Sequence, residues 1–204
     1  MPKTAPLILA FDTSAAHCAA ALLSGETILA HAQEDMAKGQ AERLVILCQE
    51  LLQSQDARFA DLSAIGVGIG PGNFTGIRIA VSAARGMALG LSIPAIGVSA
   101  FDALQYGTSG PCACAVDARR DHYFLKTYGA AEQNEPAIYC AHEFPAFSGP
   151  LLGAGGTAPA HPTAIAIAHI TRERYLTPQP KPAPLYLRPA DAAPARDAPP
   201  VILS

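Results

Sequence analysis

The sequence predicts an α/β protein built from two similar lobes, each with a mixed sheet that begins with three antiparallel strands. An apolar run that ends in a carboxylate occurs twice, at Leu7 to Asp12 and at Cys112 to Asp117, and a hairpin or meander pattern follows each run. Helical periodicity follows the first hairpin. We therefore expect a first lobe over residues 1–105, a second over 106–178 and an extended tail over 179–204, although the repeat alone does not exclude chance.

The first three strands and the first helix follow from local patterns. Leu7 to Asp12 is typical of a buried strand. Ser24-Gly25 is a turn dipeptide between the runs Ala16 to Leu23 and Thr27 to Ala32, which predicts an antiparallel hairpin. A helical period covers Gln40 to Gln53. Its apolar stripe spans roughly 160°, more than packing against one sheet requires, and comprises Ala41, Leu44, Val45, Leu47, Cys48, Leu51 and Leu52.

A glycine-rich turn joins the next strand to the next helix. The run Ile65 to Gly70 predicts a strand, and a helix from about Thr75 to Leu91 follows, with Asn73 or Thr75 as its N-cap. One side of this helix carries small residues that permit close approach of a neighbour: Gly76, Ala80 and Ala83.

The rest of the chain gives shorter signals. They predict a strand over Ile93 to Val98, a short helix through Leu104 that Ser99 can cap, a strand over Tyr123 to Tyr128 and a helix around Thr163 to Arg172. Eight of the 18 prolines lie between Pro178 and Pro200. We therefore expect an extended or polyproline-like tail.

Composition argues against several classes of protein. Fourteen Lys and Arg against 17 Asp and Glu give a net charge of −3, which argues against a protein that holds nucleic acid by its own charge. No run of about 18 apolar residues is present to span a bilayer, and the N-terminus lacks the pattern of a secretory signal. The five cysteines form no C-x-x-C pair and the six histidines show no ligand spacing. We expect a cytoplasmic protein with reduced thiols and no zinc.

The strongest local motif is the turn Gly68-Ile69-Gly70-Pro71-Gly72-Asn73-Phe74-Thr75-Gly76. Backbone N–H groups of such a turn, together with the N-terminus of the following helix, suit an anion such as phosphate. The motif lacks the lysine of a P-loop, and Thr75 stands where the dinucleotide fingerprint has glycine. A tight structural turn that needs glycine for its backbone angles explains the motif equally well.

A second candidate feature follows the first strand. Asp12, Thr13 and Ser14 supply a carboxylate and hydroxyl groups that can hold a hydrated metal and a nucleotide phosphate, and Asp117 would complete the pair from the second lobe. A cap of the turn explains the same residues. The candidate nucleotide or phosphate site thus comprises Asp12, Thr13, Ser14, Gly70, Gly72, Thr75 and Asp117. No arrangement of nucleophile and base is specific enough to predict a catalytic residue.

Several segments resemble the TsaB (YeaZ) family: Ile8 to Ser14, Ala41 to Leu44, Gly68 to Ile79, Gly97 to Ser99, Val116 to Arg120 and Tyr186 to Arg188. The resemblance is nearly continuous from residue 7 to about 128 and poor between 130 and 180, which implies a shortened second lobe. It also implies a fold related to actin, Hsp70 and sugar kinases (the ASKHA fold), in agreement with the two lobes expected above.

The resemblance implies a function that the residues alone do not show. Members of this family are the non-catalytic partner of the paralogous transferase TsaD in the synthesis of N6-threonylcarbamoyladenosine (t6A) in bacterial tRNA, and the ATPase TsaE joins their complex. It further implies that ATP and metal are bound by partner subunits, that tRNA is contacted only indirectly, and that a homodimer forms when TsaD is absent. TsaD carries an H-x-x-x-H metal pair, whereas Ser99 to Ala103 contain no histidine. We therefore expect no metal, no cofactor and no catalytic residue here.

In this family the helices that begin near Gln40 and Thr75 form the partner surface. The resemblance implies these partner-binding residues: Ala41, Leu44, Val45, Cys48, Leu51, Leu52, Thr75, Ile79 and Ala83. Both helical faces could instead be internal. If they meet a partner, Leu44→Glu or Cys48→Glu should leave the monomer folded and abolish association.

The alternative function is an independent actin-like ATPase or kinase. It would use Asp12, the turn at Gly70 to Thr75, and Asp117. Gly153-Ala154-Gly155-Gly156 is the candidate for its adenosine-binding segment.

Overall fold

The computed structural model describes residues 5–129 and 135–187, which form two mixed β-sheets and four α-helices. The strands are β1 (Leu7–Asp12), β2 (His17–Ser24), β3 (Thr27–Asp35), β4 (Ala64–Gly68), β5 (Ala95–Val98), β6 (Cys112–Asp117), β7 (His122–Tyr128), β8 (Ala137–Cys140) and β9 (Leu151–Gly153). The helices are α1 (Gln40–Gln53), α2 (Phe74–Leu91), α3 (Ala100–Gln105) and α4 (Thr163–Arg174). None of the helices in the described ranges combines the length and the apolarity needed to cross a bilayer.

Both sheets are mixed. The first has the strand order β3-β2-β1-β4-β5 and the second the order β8-β7-β6-β9. In the first sheet, β1 to β3 are antiparallel, and β4 and β5 are parallel to β1. In the second, β6 to β8 are antiparallel and β9 is parallel to β6. Each sheet therefore starts with three antiparallel strands and places a parallel strand on the other side of the first.

The first sheet is covered on both faces. Leu9 and Phe11 of β1 pack against α1 and α2, whereas Ile8 and Ala10 pack against α4, because successive side chains of a strand point to opposite faces. Helix α4 contacts β1, β2 and β4 of this sheet. The predicted boundary at residue 106 placed α4 in the second lobe, but its packing joins it to the first sheet.

The second sheet carries two smaller clusters. Cys112 and Cys114 share one face, as their alternation predicts, and pack there with Phe101 of α3 and with Leu185. An aromatic group that includes Phe144 covers the other face. All five cysteines are unpaired thiols, and all but Cys140 are buried.

Most predicted elements agree closely with the structure. Helix α1 has the predicted bounds, and Asn73 caps α2 by accepting a hydrogen bond from the Gly76 N–H at 3.0 Å. The positions of strands β8 and β9 were not predicted, because four and three residues are too short to show a period. The described part of the predicted tail, residues 179–187, contains no helix or strand, and residues 188–204 lie outside the described ranges.

Candidate functional site

Four predicted partner-binding residues lie inside the protein. Leu44, Cys48, Leu51 and Leu52 of α1 are buried, and they belong to the core cluster between the first sheet and the two helices. The apolar stripe is wide because both the sheet and α2 cover α1. The expectation for Leu44→Glu and Cys48→Glu must therefore be corrected: either change would bury a carboxylate without a partner and destabilise the monomer itself.

The other five predicted partner-binding residues are at least partly exposed, and two of them, Ile79 and Ala83, also pack against the core cluster. Val45 is 45% exposed and its neighbour Ile46 is 51% exposed. Ala41 and Thr75 are exposed, whereas Ile79 and Ala83 are half-buried. We call this surface the α1/α2 band, and it consists of Ala41, Val45, Ile46, Thr75, Ile79 and Ala83. The helical period assigned Ile46 to the polar face, so sequence reasoning did not include it among the partner-binding residues.

The small residues of α2 meet a neighbour within the same chain. A Cβ atom on Gly76 would lie 1.8 Å from the carbonyl oxygen of Thr13. The Thr13 hydroxyl donates a hydrogen bond to the Gly76 carbonyl at 2.6 Å. Gly76 and Ala80 are buried. The close approach that these small residues predict is present, but it joins α2 to the turn after β1.

An ion-pair network lies beside the band. The Arg43 guanidinium donates to both carboxylate oxygens of Glu34 on β3, at 2.7 and 2.6 Å, and to both of Glu50, at 2.9 and 2.6 Å. These hydrogen bonds lower the pKa of both carboxyl groups. Arg43 thus ties α1 to β3, while Glu42 adds a negative charge to the exposed side of the helix.

Asp12, the central residue of the predicted phosphate site, is 2% exposed. One of its carboxylate oxygens accepts hydrogen bonds from the Ser14 N–H at 3.1 Å and the Ser14 hydroxyl at 3.0 Å, and lies 2.7 Å from His17 Nε2. The other lies against β4, where a Cβ atom on Gly68 would be 1.9 Å away. The geometry matches the turn cap that the sequence left open as the alternative.

The His17 side chain is affected by this contact. Burial lowers the pKa of His17, but the hydrogen bond to Asp12 and the negative charges of Asp12 and Asp35 raise it, and the net direction is upward. The protonated imidazolium is therefore favoured in the folded protein, and it partly neutralises the buried Asp12 carboxylate.

The glycine-rich turn packs closely on the same segment. The Asn73 N–H donates to the Ser14 carbonyl at 2.6 Å, and a Cβ atom on Gly72 would lie 2.3 Å from that oxygen. Gly70 adopts a φ of 90°, which glycine tolerates without strain. The Asn73 N–H group is thus satisfied by the protein, and the backbone of Ser14 fills the space next to Gly72.

Asp117 is placed differently. It is exposed, and its carboxylate accepts one backbone hydrogen bond, from the Arg119 N–H at 2.7 Å. It lines a cavity of about 510 Å³ that does not include Asp12, Thr13 or Ser14. The structure therefore does not bring the two aspartates together in one pocket. Within residues 5–129 and 135–187, no group of three or more His, Cys, Asp or Glu side chains is placed to hold a metal ion.

The C-terminal segment covers the N-terminus of α2. The Leu185 N–H donates to the Ile69 carbonyl at 2.8 Å. Tyr186 stacks on Phe74 with ring centroids 4.8 Å apart, and Arg78 donates to the Tyr186 hydroxyl at 2.8 Å while its guanidinium lies 3.7 Å above the Phe74 ring. No local sequence pattern predicts this contact, because its partners are more than 100 residues apart.

Comparison with known proteins supports one family. The family model described as TsaD, tRNA N6-adenosine threonylcarbamoyltransferase, matches residues 28–141. The tRNA threonylcarbamoyladenosine biosynthesis protein TsaB of Escherichia coli (strain K12) is 32% identical over 141 residues, or 67% of this chain and 59% of that protein. The TsaB of Bacillus subtilis (strain 168) is 35% identical over 136 residues, or 63% of this chain and 59% of that protein. A protein of Mycobacterium tuberculosis (strain H37Rv) is 34% identical over 173 residues, or 78% and 79% of the two chains.

Solved structures share the fold. YeaZ from Pseudomonas aeruginosa has a TM-score of 0.72 and 25% identity, covering 89% of this chain and all of its own. A second Pseudomonas aeruginosa structure, described as similar to peptidase YEAZ, has a TM-score of 0.70 and 23% identity over 90% of this chain and all of its own. The two mixed sheets and their helices thus define an α/β protein of the actin-like (ASKHA) type. Within that class, the chain belongs to the TsaB/YeaZ family.

Proposed function

We propose that this chain is a non-catalytic, cytoplasmic subunit of the machinery that makes t6A in tRNA, and that it binds a TsaD-type partner through the α1/α2 band. The observation that carries the proposal is the exposure of Val45 and Ile46, 45% and 51%, on a helix whose other large apolar side chains are buried. Contiguous apolar surface that remains exposed in a monomer is one mark of a contact with another protein.

The similarity of this chain to the TsaD family supports a TsaD-type protein as the partner that binds the α1/α2 band. The family model that matches residues 28–141 is that of TsaD, so a TsaD partner is expected to present a related helical pair. Two related faces can pack about an approximate two-fold axis, and the same geometry serves a homodimer when TsaD is absent. The charges agree with such packing, because α1 exposes Glu42 whereas α2 exposes Arg85. On this proposal TsaE joins the pair and tRNA is held by the partners.

The proposal assigns the chain no catalytic residue and no cofactor of its own. The Asp12 carboxylate already contacts Ser14 and His17, and the turn at Gly72 packs against Ser14. This geometry disfavours the alternative, an independent ATPase or kinase that uses these groups. Hydrolysis of ATP by the isolated chain in the presence of magnesium would favour that alternative instead.

We also propose that the two lobes arose by duplication of one unit. The order β8-β7-β6-β9 matches the order β3-β2-β1-β4, and each set places its only parallel strand beside its first strand. On this view residues 1–105 and 106–178 derive from one unit, the second is shortened, and α4 crosses back to cover the first sheet.

The experiment is a pull-down of the TsaD from the same organism by Val45→Glu. Because Val45 is exposed, the substitution should change the stability of the monomer by no more than about 0.5 kcal/mol. Burying the new carboxylate in an interface should nevertheless weaken association at least about ten-fold.

The matched control is Leu176→Glu, which places the same charge on a side chain that is 80% exposed and lies outside the band. This variant should capture TsaD like the unmodified chain. Undiminished capture by Val45→Glu would contradict the proposed surface, and full t6A formation by TsaD and TsaE in the absence of this chain would contradict the proposed role.

A further inference from the structure

A groove of about 750 Å³ lies beside the first sheet, at the C-terminal end of α2. Residues from three segments line it: 85–89 in α2, 92–96 up to the start of β5, and 175–182 after α4. None of the residues of the α1/α2 band is among them. The volume is within the range of sites that enclose most of a bound ligand, so the groove is a candidate binding site separate from the proposed partner surface.

Strand β5 leaves one side of its backbone unpaired beside this groove. It is the last strand of the first sheet and pairs there with β4 alone. The Ile65 N–H of β4 donates to the Pro94 carbonyl at 3.0 Å. Because the backbone groups of successive strand residues point to opposite sides, those of Ala95 and Gly97 point away from β4. Among residues 5–129 and 135–187 these N–H and C=O groups have no hydrogen-bond partner, and such an edge is a template for a further strand.

Two large apolar side chains of the groove are almost fully exposed. Leu89 is 83% exposed and Leu176 is 80% exposed, the two highest values among the large apolar side chains of the described residues. Both line the groove. A single exposed leucine needs no explanation, but two that share a groove with an open strand edge form the kind of apolar surface that contacts another polypeptide.

The charged side chains of the groove are all positive. Arg85 and Lys181 line it and are exposed, and no Asp or Glu is among its lining residues. Within the described part of the chain, neither cation has a carboxylate oxygen within 4 Å. Electrostatic complementarity therefore favours an occupant with acidic side chains. A second copy of this chain that paired symmetrically through β5 would bring the same cations into one interface, so a different protein is the better occupant.

We propose that this groove binds an extended, acidic segment of another protein, which adds as a strand to the free edge of β5. Backbone groups of the segment pair with Ala95 and Gly97, its apolar side chains contact Leu89 and Leu176, and its carboxylates contact the two cations. The α1/α2 band stays free, so the segment and a TsaD-type partner can be bound at the same time.

The test is an NMR titration of the isotope-labelled full chain with synthetic hexapeptides, blocked at both ends, in which valine alternates with glutamate or with lysine. The glutamate peptide should bind with a Kd of about 1 mM or tighter. It should shift the amide resonances of Ala95 and Gly97 and slow the hydrogen exchange of both amides. The lysine peptide should bind about ten-fold more weakly, because it brings like charges to the groove.

A third peptide separates strand pairing from attraction between charges. A glutamate peptide that is methylated at every backbone nitrogen keeps its carboxylates but donates no backbone hydrogen bond. If the segment pairs with the edge of β5, this peptide should bind about ten-fold more weakly than the unmethylated one. Equal binding of the two would overturn the proposed pairing.

Lys181→Glu tests the charge of the groove. Lys181 is exposed, so the substitution should not affect folding, and the glutamate peptide should bind the variant about ten-fold more weakly. The matched control is Lys38→Glu, which makes the same change at an exposed lysine outside the groove. This control should bind the peptide like the unmodified chain.

Several results would overturn the proposal: no binding of the glutamate peptide at several millimolar, equal binding of the glutamate and lysine peptides, or binding that leaves the Ala95 and Gly97 amides unchanged. A dimer of the unmodified chain that Leu89→Glu dissociates would make a second copy the occupant. Loss of TsaD capture by Lys181→Glu would make TsaD the occupant. Either result would also overturn it. Unchanged capture of TsaD by Lys181→Glu, together with loss of peptide binding, keeps this groove distinct from the α1/α2 band.

Discussion

The two sheets end in similar residues that are packed in opposite ways. Asp12 closes β1 and Asp117 closes β6, and in each lobe a glycine-rich turn follows the parallel strand beside it. Asp12 is 2% exposed and has three close partners from Ser14 and His17. Asp117 is exposed, accepts one backbone N–H and faces a cavity. The carboxylate at the end of β1 is thus covered by neighbouring residues of the chain, whereas the carboxylate at the end of β6 is accessible. We call these the closed end and the open end.

The glycines of the two turns differ at one position. Cβ atoms on Gly72 and Gly76 would lie 2.3 and 1.8 Å from backbone oxygens of the turn after β1, and Cβ atoms on Gly153 and Gly156 would lie 2.5 and 2.2 Å from backbone oxygens of the second lobe, whereas one on Gly155 would have 3.8 Å of clearance. Glycine therefore serves close packing in both lobes, and the open space is confined to Gly155. A carboxylate beside a glycine-rich turn does not by itself define a ligand site, because packing decides whether the turn remains accessible.

The largest effect that tests this comparison is expected from Gly76→Ala. The new methyl group would overlap the Thr13 carbonyl, and neither backbone segment can move without breaking the hydrogen bond between Thr13 and Gly76. Overpacking typically costs about 1–3 kcal/mol, and the contact with backbone atoms places this change at about 3 kcal/mol. Urea denaturation measures the change in the free energy of unfolding.

Gly86→Ala is the matched control on the same helix, since a Cβ atom at Gly86 would meet nothing within 4 Å. It should stabilise the protein by about 0.5–1 kcal/mol, because alanine is the better helix former. Equal stabilities for the two variants would mean that the first turn is not closed by α2.

The next largest difference is expected between Asp12→Ala and Asp117→Ala. Loss of Asp12 leaves the Ser14 N–H, the Ser14 hydroxyl and His17 without their buried acceptor, and we expect a loss of about 2–3 kcal/mol in the free energy of unfolding. Loss of Asp117 removes one hydrogen bond at an exposed site, so about 0.5 kcal/mol is expected. Thermal or urea unfolding of both variants measures this difference. If Asp117→Ala lowered the free energy of unfolding as much as Asp12→Ala does, Asp117 would also contribute to stability and the contrast between the two aspartates would be wrong.

The sequence predicted the elements whose apolar period extends over several residues. The bounds of α1 and β6 agree with the prediction, and the caps Asn73 and Ser99 accept the hydrogen bonds expected of them. Strand β9 could not be predicted, because Leu151–Gly153 gains its strand character from pairing with β6 and shows no pattern of its own. Sequence patterns therefore predict the elements that are stabilised by interactions between residues close in sequence.

The candidate sites were less predictable. The apolar stripe on α1 would be equally wide if it packed against the first sheet and a partner protein or against the first sheet and α2. Only the structure shows that Leu44 and Cys48 are buried while Val45 is exposed. Asp12 and its hydroxyl neighbours suit both a phosphate site and a turn cap, since both need an acceptor beside short polar side chains. The positive φ angles at Arg119 and Arg120 could not be predicted, because no glycine stands at either position.

The smallest predicted effect concerns the charge inside the closed end. Because Asp12 raises the pKa of His17 in the folded protein, folding favours the protonated imidazole. The stabilisation is complete below the ordinary histidine pKa of about 6.5 and is lost as the pH rises through the raised value. His17→Gln retains an N–H donor for Asp12 and removes this titration. The free energy of unfolding of the unmodified chain should exceed that of the variant by about 0.5–1 kcal/mol at pH 5.5, and the difference should shrink towards pH 9. Urea denaturation across this pH range measures it, and a difference that grows with pH would mean that burial outweighs Asp12 and that the closed end holds a neutral histidine.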